Sequence, residues 1–243
     1  MTKDTGKPIQ GHAVVSRDEW LAARVAFLAK EKEFTRLRDD LSRQRRELPW
    51  VRVDKAYVFD GPDGKEALAD LFQDRSQLIV YHFMFSPDDD EGCASCSFWA
   101  DNFNGTGVHL NHRDVAFVAI SRAPIAKIEK FKKGMGWDFK WVSSFRNDFN
   151  YDFQASFKPE VVASEEPVFN FGTQIPYMPD REGASVFYRD ESGAIFHTYS
   201  TFSRGIDMLN GAYHFIDLVP KGRDEGGLDG TQAWVRYHDR YED

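Results

Sequence analysis

The hydrophobic positions of the chain form two kinds of pattern, one with the period of a helix and one of continuous apolar runs. Between residues 16 and 48, apolar side chains recur mostly at three-, four- or seven-residue steps among many charges: Leu21, Val25, Leu28, Leu37, Leu41 and Leu48. Ser16 and Glu19 have the spacing of a capping box, and Pro49 would end the helix. Rather than a basic arm, this predicts a long solvated helix that packs on the core or on a second subunit.

Two continuous apolar runs, LIVYHFMF at 78–85 and VAFVAIS at 115–121, are typical of strands buried on both faces. After the second run, Pro124 can start a helix that closes near Gly134 or Gly136. The segment 139–144 then predicts a third strand. These elements alternate strand and helix, so the strands are expected to pair in parallel.

Shorter elements surround these runs. Short strands are predicted at 51–53 and 57–59, with a turn at 60–64 and a short helix at 66–72. Four prolines and an irregular pattern at 145–184 indicate a long insertion. The segment 184–200 predicts a β-hairpin that turns at 190–193, and 205–217 predicts a last helix.

The order of elements predicts a mixed α/β sheet and is the arrangement of the thioredoxin fold. We expect a thioredoxin-like mixed sheet flanked by helices, with a long N-terminal helix and an insertion before the C-terminal hairpin. We also expect three parts: an N-terminal helical extension at 1–49, a thioredoxin-like domain at 50–220 and a polar C-terminal tail at 221–243, docked rather than loose.

Composition narrows the class of protein. The net charge of -8 argues against nucleic-acid binding, which needs a basic surface. No apolar run approaches the roughly 20 residues that span a bilayer. The first twelve residues lack the apolar stretch of a secretory signal, so we expect a cytoplasmic protein without a membrane partner.

Both cysteines of the chain, Cys93 and Cys96, follow the first buried strand and open a helix predicted to run from Ala94 to about Leu110. A reducing cytoplasm disfavours a structural disulfide and leaves catalysis, redox sensing or metal binding. Unpaired N–H groups at a helix start favour the thiolate, so Cys93 would attack a disulfide and Cys96 would resolve it. The negative charges of the acidic run 88–91 disfavour that thiolate, so a strongly lowered pKa of Cys93 is not expected.

Two other interpretations of the cysteines stay open. Both could be small buried residues of a binding or scaffold protein without turnover. They could also bind zinc with His109 and His112, since twelve residues separate Cys96 from His109. Only two residues separate the histidines, however, whereas zinc fingers have about three to five. His82 and His197 are expected to be hydrogen-bonded histidines of the sheet.

Five segments of the chain resemble the thioredoxin-like bacterial family catalogued as domain of unknown function 899, over roughly residues 10 to 240: YHFMF, GCASCSFWAD, HLNHRDVAFVAISRAPIAKIEKFKKGMGWDFKWVSS, DFNYDF and FHTYSTFSRGIDMLNGAYHFIDLVPKGRDE. That family is described as predicted dithiol-disulfide oxidoreductases, so the resemblance implies a thioredoxin-like fold with Cys93 and Cys96 as the dithiol. Ala94 and Ser95 stand where thioredoxins have Gly-Pro. A proline in that pair affects the redox potential, so the potential of thioredoxins does not carry over to this chain. As a second departure, residues 183–185 stand where thioredoxins have a cis-proline facing the dithiol.

The sequence therefore predicts a thiol-disulfide oxidoreductase whose catalytic residues are Cys93 and Cys96. We expect no cofactor and no metal. The substrate would be a protein or small-molecule disulfide, and a cellular thiol would reduce the pair again. The long N-terminal helix suggests a homodimer.

Overall fold

The strands form one eight-stranded mixed sheet in the computed structural model, which describes residues 11–242. The strands are β1 (Val51–Arg52), β2 (Val58–Gly61), β3 (Gly64–Ala67), β4 (Gln77–His82), β5 (Val115–Ser121), β6 (Lys140–Ser143), β7 (Gly183–Arg189) and β8 (Ile195–Phe202). Their spatial order is β1-β8-β7-β4-β5-β6-β2-β3. Strands β4, β5 and β6 are parallel, and all other pairs are antiparallel. The predicted thioredoxin-like mixed sheet is confirmed.

The α-helices are α1 (Arg17–Arg46), α2 (Ala94–Ala100), α3 (Gly107–His112), α4 (Ile125–Gly134), α5 (Phe149–Asp152), α6 (Pro159–Ala163) and α7 (Gly211–Ile216). Two 3₁₀ helices lie at Asp70–Phe72 and Ser203–Leu209. Among residues 11–242, no helix is both long enough and apolar enough to cross a membrane.

The central strand β4 is buried because both of its faces are covered. Successive strand residues point to opposite faces, so Leu78 and Val80 pack in one cluster while Tyr81 packs in the other. Each fully buried aliphatic or aromatic side chain stabilises the fold by about 1.5–3 kcal/mol. Burial on both sides holds the carboxyl end of β4, where the cysteines follow, in a fixed position.

Helix α1 begins with the predicted capping box, in which Ser16 and Glu19 satisfy each other's backbone N–H groups. No residue of this 30-residue helix is buried. Contacts with the body occur at its end, where the Arg45 guanidinium lies 4.8 Å from the Tyr199 ring centre. The predicted helix is confirmed, and its large apolar side chains are exposed.

The C-terminal tail is docked beside α2. Val235 is buried, and the Tyr237 hydroxyl donates to the carbonyl oxygen of Gly92, directly before the first cysteine. Trp234 donates its indole N–H to Glu225, 2.8 Å away. The tail therefore supports the segment that leads into the cysteines. The boundaries of the three predicted parts stay a prediction.

Three local predictions were wrong. Residues 66–72 do not form one helix. Glu66 and Ala67 belong to β3, which pairs with β2 as a hairpin through Gly64, whose φ of 137° suits glycine alone, and only Asp70–Phe72 form a short 3₁₀ helix. The helix predicted from Ala94 to Leu110 is divided into α2 and α3, with Gly105 at a φ of 80° between them. The predicted last helix is a 3₁₀ helix followed by α7.

Candidate functional site

Cys93 and Cys96 lie at the junction between β4 and α2, with Cys93 as the N-cap of the helix. Two hydrogen bonds attach this junction to the end of β4. The Cys93 N–H donates to the carbonyl oxygen of Met84 at 3.0 Å, and the Met84 N–H donates to the Cys96 sulfur at 3.5 Å. The Cys96 N–H in turn donates to the Cys93 sulfur at 3.5 Å. No disulfide joins the two sulfurs in this structure.

The loop between Ser86 and Gly92 is held by polar contacts within the loop, with α4 and with the C-terminal tail. Asp89 accepts from the Ser86 N–H at 2.8 Å, and Lys127 donates to the carbonyl oxygens of Pro87 and Asp89. Glu91 forms an ion pair with Arg240 of the tail. The acidic run is therefore an anchored loop whose charges are partly compensated.

Gly92 is required by the close approach of two aromatic rings. A Cβ atom at this position would lie 2.7 Å from ring atoms of both Phe83 and Phe131. The backbone can pass between these rings only without a side chain, so Gly92 sets the path of the chain into Cys93.

The Cys93 side chain is partly exposed and lies between two clefts, whereas Cys96 is buried. One cleft, of about 410 Å³, is lined by both cysteines together with Tyr81, Glu182 and residues of the segment after β8. The other, of about 670 Å³, is lined by Cys93, the acidic loop and Arg122. Met84 and Met178 border both clefts, so the Cys93 sulfur is reachable from two sides.

The two thiols differ strongly in acidity. A hydrogen bond from the Cys96 side chain and the N–H groups of Cys96 and Ser95 lower the pKa of Cys93 to about 7, against the effect of burial. Burial raises the pKa of Cys96 well above its usual range, and the hydrogen bond to Cys93 and a charge on Cys93 raise it further. At neutral pH, Cys93 is therefore a partial thiolate and Cys96 is a thiol.

Glu182 and Tyr81 belong to the site, although the sequence did not point to either. Glu182 directly precedes β7, and its negative charge raises the pKa of both cysteines. Burial is the main factor that opposes the thiolate of Cys93; among charges the opposition comes from Glu182, and the acidic run 88–91 is not among its main sources. Strand pairing places Glu182 there from nearly ninety residues away in the sequence.

The Tyr81 hydroxyl is fully buried and has no hydrogen-bond partner among the described residues. Burial raises the pKa of Tyr81 well above its usual range, and a negative charge on Cys96 is the next largest cause. The hydroxyl therefore stays protonated beside Cys96 and can donate to its sulfur.

Two arginines lie beside the clefts. Arg181 is only 5% exposed, and its guanidinium lies 4.0 Å from the ring centre of Tyr177. Arg122 forms a bidentate ion pair with Asp180, at 2.7 and 3.1 Å, and donates to the Tyr151 hydroxyl at 2.8 Å. These contacts fix the segment 177–182, which forms the wall of both clefts opposite the cysteines.

The histidines do not join the cysteines. His109 and His112 lie exposed on α3, and residues 11–242 contain no group of three or more potential ligands that could hold a metal ion. His82 is buried and lies 2.8 Å from the Ser185 hydroxyl; burial lowers the pKa of His82 to about 3, so it is neutral. His197 similarly bonds Ser200 at 2.7 Å. The prediction of hydrogen-bonded histidines in the sheet is confirmed.

Residues 9–241 match the family described as "Bacterial protein of unknown function (DUF899)". This chain belongs to that family. The match covers nearly the whole chain, including the cysteines, the insertion and the tail. No curated protein sequence matches this DUF899 protein.

Three solved structures illustrate distant similarities of this DUF899 protein. Peroxidoxin BcpB from Mycobacterium tuberculosis is 14% identical, with 67% of this chain and 93% of that chain covered and a TM-score of 0.44. Peroxiredoxin Q from Xanthomonas campestris is 11% identical, with coverages of 64% and 85% and a TM-score of 0.45. A thiol:disulfide interchange protein from Bacteroides sp. is 15% identical, with coverages of 74% and 97% and a TM-score of 0.40. Membership in the family is what these comparisons establish.

The packing of Gly92 gives a first testable expectation. The added methyl group of Gly92→Ala must displace Phe83 or Phe131, so we expect a loss of about 1–3 kcal/mol in the free energy of unfolding. Denaturant unfolding measures this loss. Gly134→Ala is the control, because its Cβ would meet nothing within 4 Å. Equal stability of the two variants would contradict the packing described here.

The acidity of Cys93 gives a second expectation. The rate of Cys93 alkylation should rise with pH around a midpoint of about 7, below the midpoint of about 8.5 for an ordinary thiol. Cys96→Ala removes the largest cause of this lowering, so its midpoint should move up toward the ordinary value. Glu182→Gln removes a negative charge, so its midpoint should move down. Mass spectrometry of the alkylated Cys93 peptide measures each rate.

Cys96→Ser is the matched control for the alanine variant, because its hydroxyl can still donate to the Cys93 sulfur. Its midpoint should therefore lie below that of Cys96→Ala. A midpoint near the ordinary thiol value in the unmodified protein, unchanged by all three substitutions, would contradict the assigned causes.

Proposed function

We propose that this protein is a thiol-disulfide oxidoreductase in which Cys93 is the attacking and Cys96 the resolving residue. The observation that carries the proposal is the asymmetry of the pair. Cys93 is partly exposed between two clefts with a pKa lowered to about 7, while Cys96 is a buried thiol one helical turn later. Exchange requires a reachable thiolate followed by a protected second thiol, and this arrangement supplies both.

In the first step, the Cys93 thiolate attacks one sulfur of a substrate disulfide. The substrate S–S bond breaks, a bond forms between Cys93 and one substrate sulfur, and the other substrate sulfur leaves as a thiolate. The partner sulfur can leave through either cleft, because Cys93 borders both.

In the second step, Cys96 becomes a better nucleophile because Cys93 has lost its charge. A charge on Cys93 and the hydrogen bond to it are two of the causes that raise the pKa of Cys96. Both disappear in the mixed disulfide, so the pKa of Cys96 falls only when its attack is needed. The order of the two steps is thereby built into the pair.

Two neighbouring groups assist the second step. Glu182 lines the same cleft and can accept the Cys96 proton, and the Tyr81 hydroxyl can donate to the resulting thiolate. Cys96 then attacks the Cys93 sulfur, the mixed disulfide breaks, and the second substrate thiolate leaves. The protein ends with a Cys93–Cys96 disulfide and the substrate has gained two electrons.

The presence of clefts on both sides of Cys93 favours a polypeptide disulfide as substrate, because chain segments extend on both sides of such a bond. A cellular dithiol would reduce the Cys93–Cys96 disulfide by the same two exchanges in reverse. Such a cycle belongs in a reducing compartment such as the cytoplasm, where thiol donors are maintained.

Trapping of the mixed disulfide tests the proposal. Cys96→Ser lacks the resolving thiol, so it should accumulate a covalent adduct at Cys93 when mixed with a peptide disulfide. The unmodified protein should instead release both peptide thiols and form its internal disulfide. Non-reducing mass spectrometry separates the adduct from the internal disulfide.

Cys93→Ser is the control for this experiment and should neither form the adduct nor release peptide thiols. The proposal is wrong if Cys93→Ser forms as much adduct as Cys96→Ser, or if the unmodified protein leaves the peptide disulfide intact. In the second case, the interpretation of the fold as a binding protein without turnover would take its place.

A further inference from the structure

Helix α1 carries a row of large apolar side chains at a strict seven-residue spacing. The row consists of Trp20, Phe27, Phe34 and Leu41, and Leu48 continues the spacing just after the end of the helix. All five side chains are between 46% and 66% exposed. A single exposed apolar residue is ordinary on a protein surface and needs no partner. A strict seven-residue row over about 32 Å of helix is instead the pattern of a helix that winds around another helix.

Charges flank this row on both sides in a complementary order. If the row is position a of a heptad, the g positions on one side hold Glu19, Ala26, Glu33 and Asp40, followed by Glu47 at the C-cap, and the e positions on the other side hold Arg24, Glu31, Arg38 and Arg45. In a parallel pair of helices, each g residue faces the e residue of the next heptad on the partner. Glu33 would therefore face Arg38 of the partner subunit.

The same charges disfavour the opposite orientation. In an antiparallel pair, g positions face g positions and e positions face e positions, so the acidic side would face itself. Within residues 11–242, the ion pairs of α1 are Arg24–Glu31, Arg43–Asp40 and Arg43–Glu47, so Glu33 and Arg38 form none. These two charges are unpaired in one chain and complementary between two parallel chains.

We infer that α1 forms a parallel two-stranded coiled coil with α1 of a second copy of this chain. The apolar row and Leu37 form its seam, and the Glu33–Arg38 pairs set its orientation. The other d positions are Ala23, Lys30 and Gln44. Their small or polar side chains weaken the seam, so the dimer should depend on protein concentration. The inference does not rest on the redox chemistry of the cysteines.

The first part of the test compares two apolar positions of similar exposure. Light scattering during size exclusion should give the unmodified protein about twice the mass of one 28.0 kDa chain at high micromolar concentration. Phe27→Asp, at the seam, should give a monomer. Val25→Asp should keep the dimer, because Val25 lies at position f, away from the seam, although it is 59% exposed against 55% for Phe27. Circular dichroism confirms that each variant is folded.

The second part tests the orientation. Glu33→Lys alone and Arg38→Glu alone should each weaken the dimer, because like charges then face each other across a parallel pair. An equimolar mixture of the two variants should restore it, because every facing pair is again complementary. Asp40, the next acidic g position, already pairs with Arg43 within one chain. The Glu33–Arg38 pair is therefore the sharper probe of the contact between two chains.

Three outcomes would overturn the inference. A monomer at every concentration would exclude the dimer, and loss of the dimer in Val25→Asp but not in Phe27→Asp would place the interface elsewhere. A stronger dimer for Glu33→Lys alone would indicate the antiparallel pair. The assay reads mass, so its result is independent of whether the cysteines exchange disulfides.

Discussion

The site depends on two hydrogen bonds, one between backbone groups and one to sulfur, that join the residues directly after β4 to the start of α2. The Cys93 N–H bonds the carbonyl oxygen of Met84, and the Met84 N–H bonds the Cys96 sulfur. Because β4 is buried on both faces, these bonds transfer the rigidity of the sheet to the two sulfurs. Gly92 makes the approach possible, since any side chain there would collide with Phe83 and Phe131. The anchored loop and these bonds place Cys93 between the two clefts.

Electrostatics then separates the roles of two chemically identical side chains. The Cys93 sulfur accepts hydrogen bonds at the start of α2, whereas the buried Cys96 sulfur lies among groups that disfavour its charge. Glu182 raises the pKa of both thiols, so it lowers the thiolate fraction of Cys93 and helps to keep Cys96 protonated. The pair is therefore asymmetric in the free protein, and in the proposed exchange the loss of charge on Cys93 would reverse part of that asymmetry.

Much of the fold followed from the sequence because its strongest signals are local. The continuous runs at 78–85 and 115–121, the capping box at Ser16 and the hairpin turn at 190–193 all depend on neighbouring residues. The pairing of β2 with β3 was missed because residues 66–72 look equally suited to a helix. Glu182 could not be found from its neighbours, since only the pairing of β7 with β4 brings it to the cysteines. The sequence located the thiols but not the groups that set their acidity.

The central claim is that Cys93 and Cys96 exchange between a dithiol and a disulfide, and the midpoint potential of the pair tests it most directly. Purified, metal-free protein would be equilibrated with graded thiol buffers, and the remaining thiols trapped by alkylation. The account predicts a reversible two-electron transition between about -120 and -270 mV, the range of working oxidoreductases. No transition, with both thiols slow to alkylate in the folded protein, would contradict it and make the pair a packing feature of the fold.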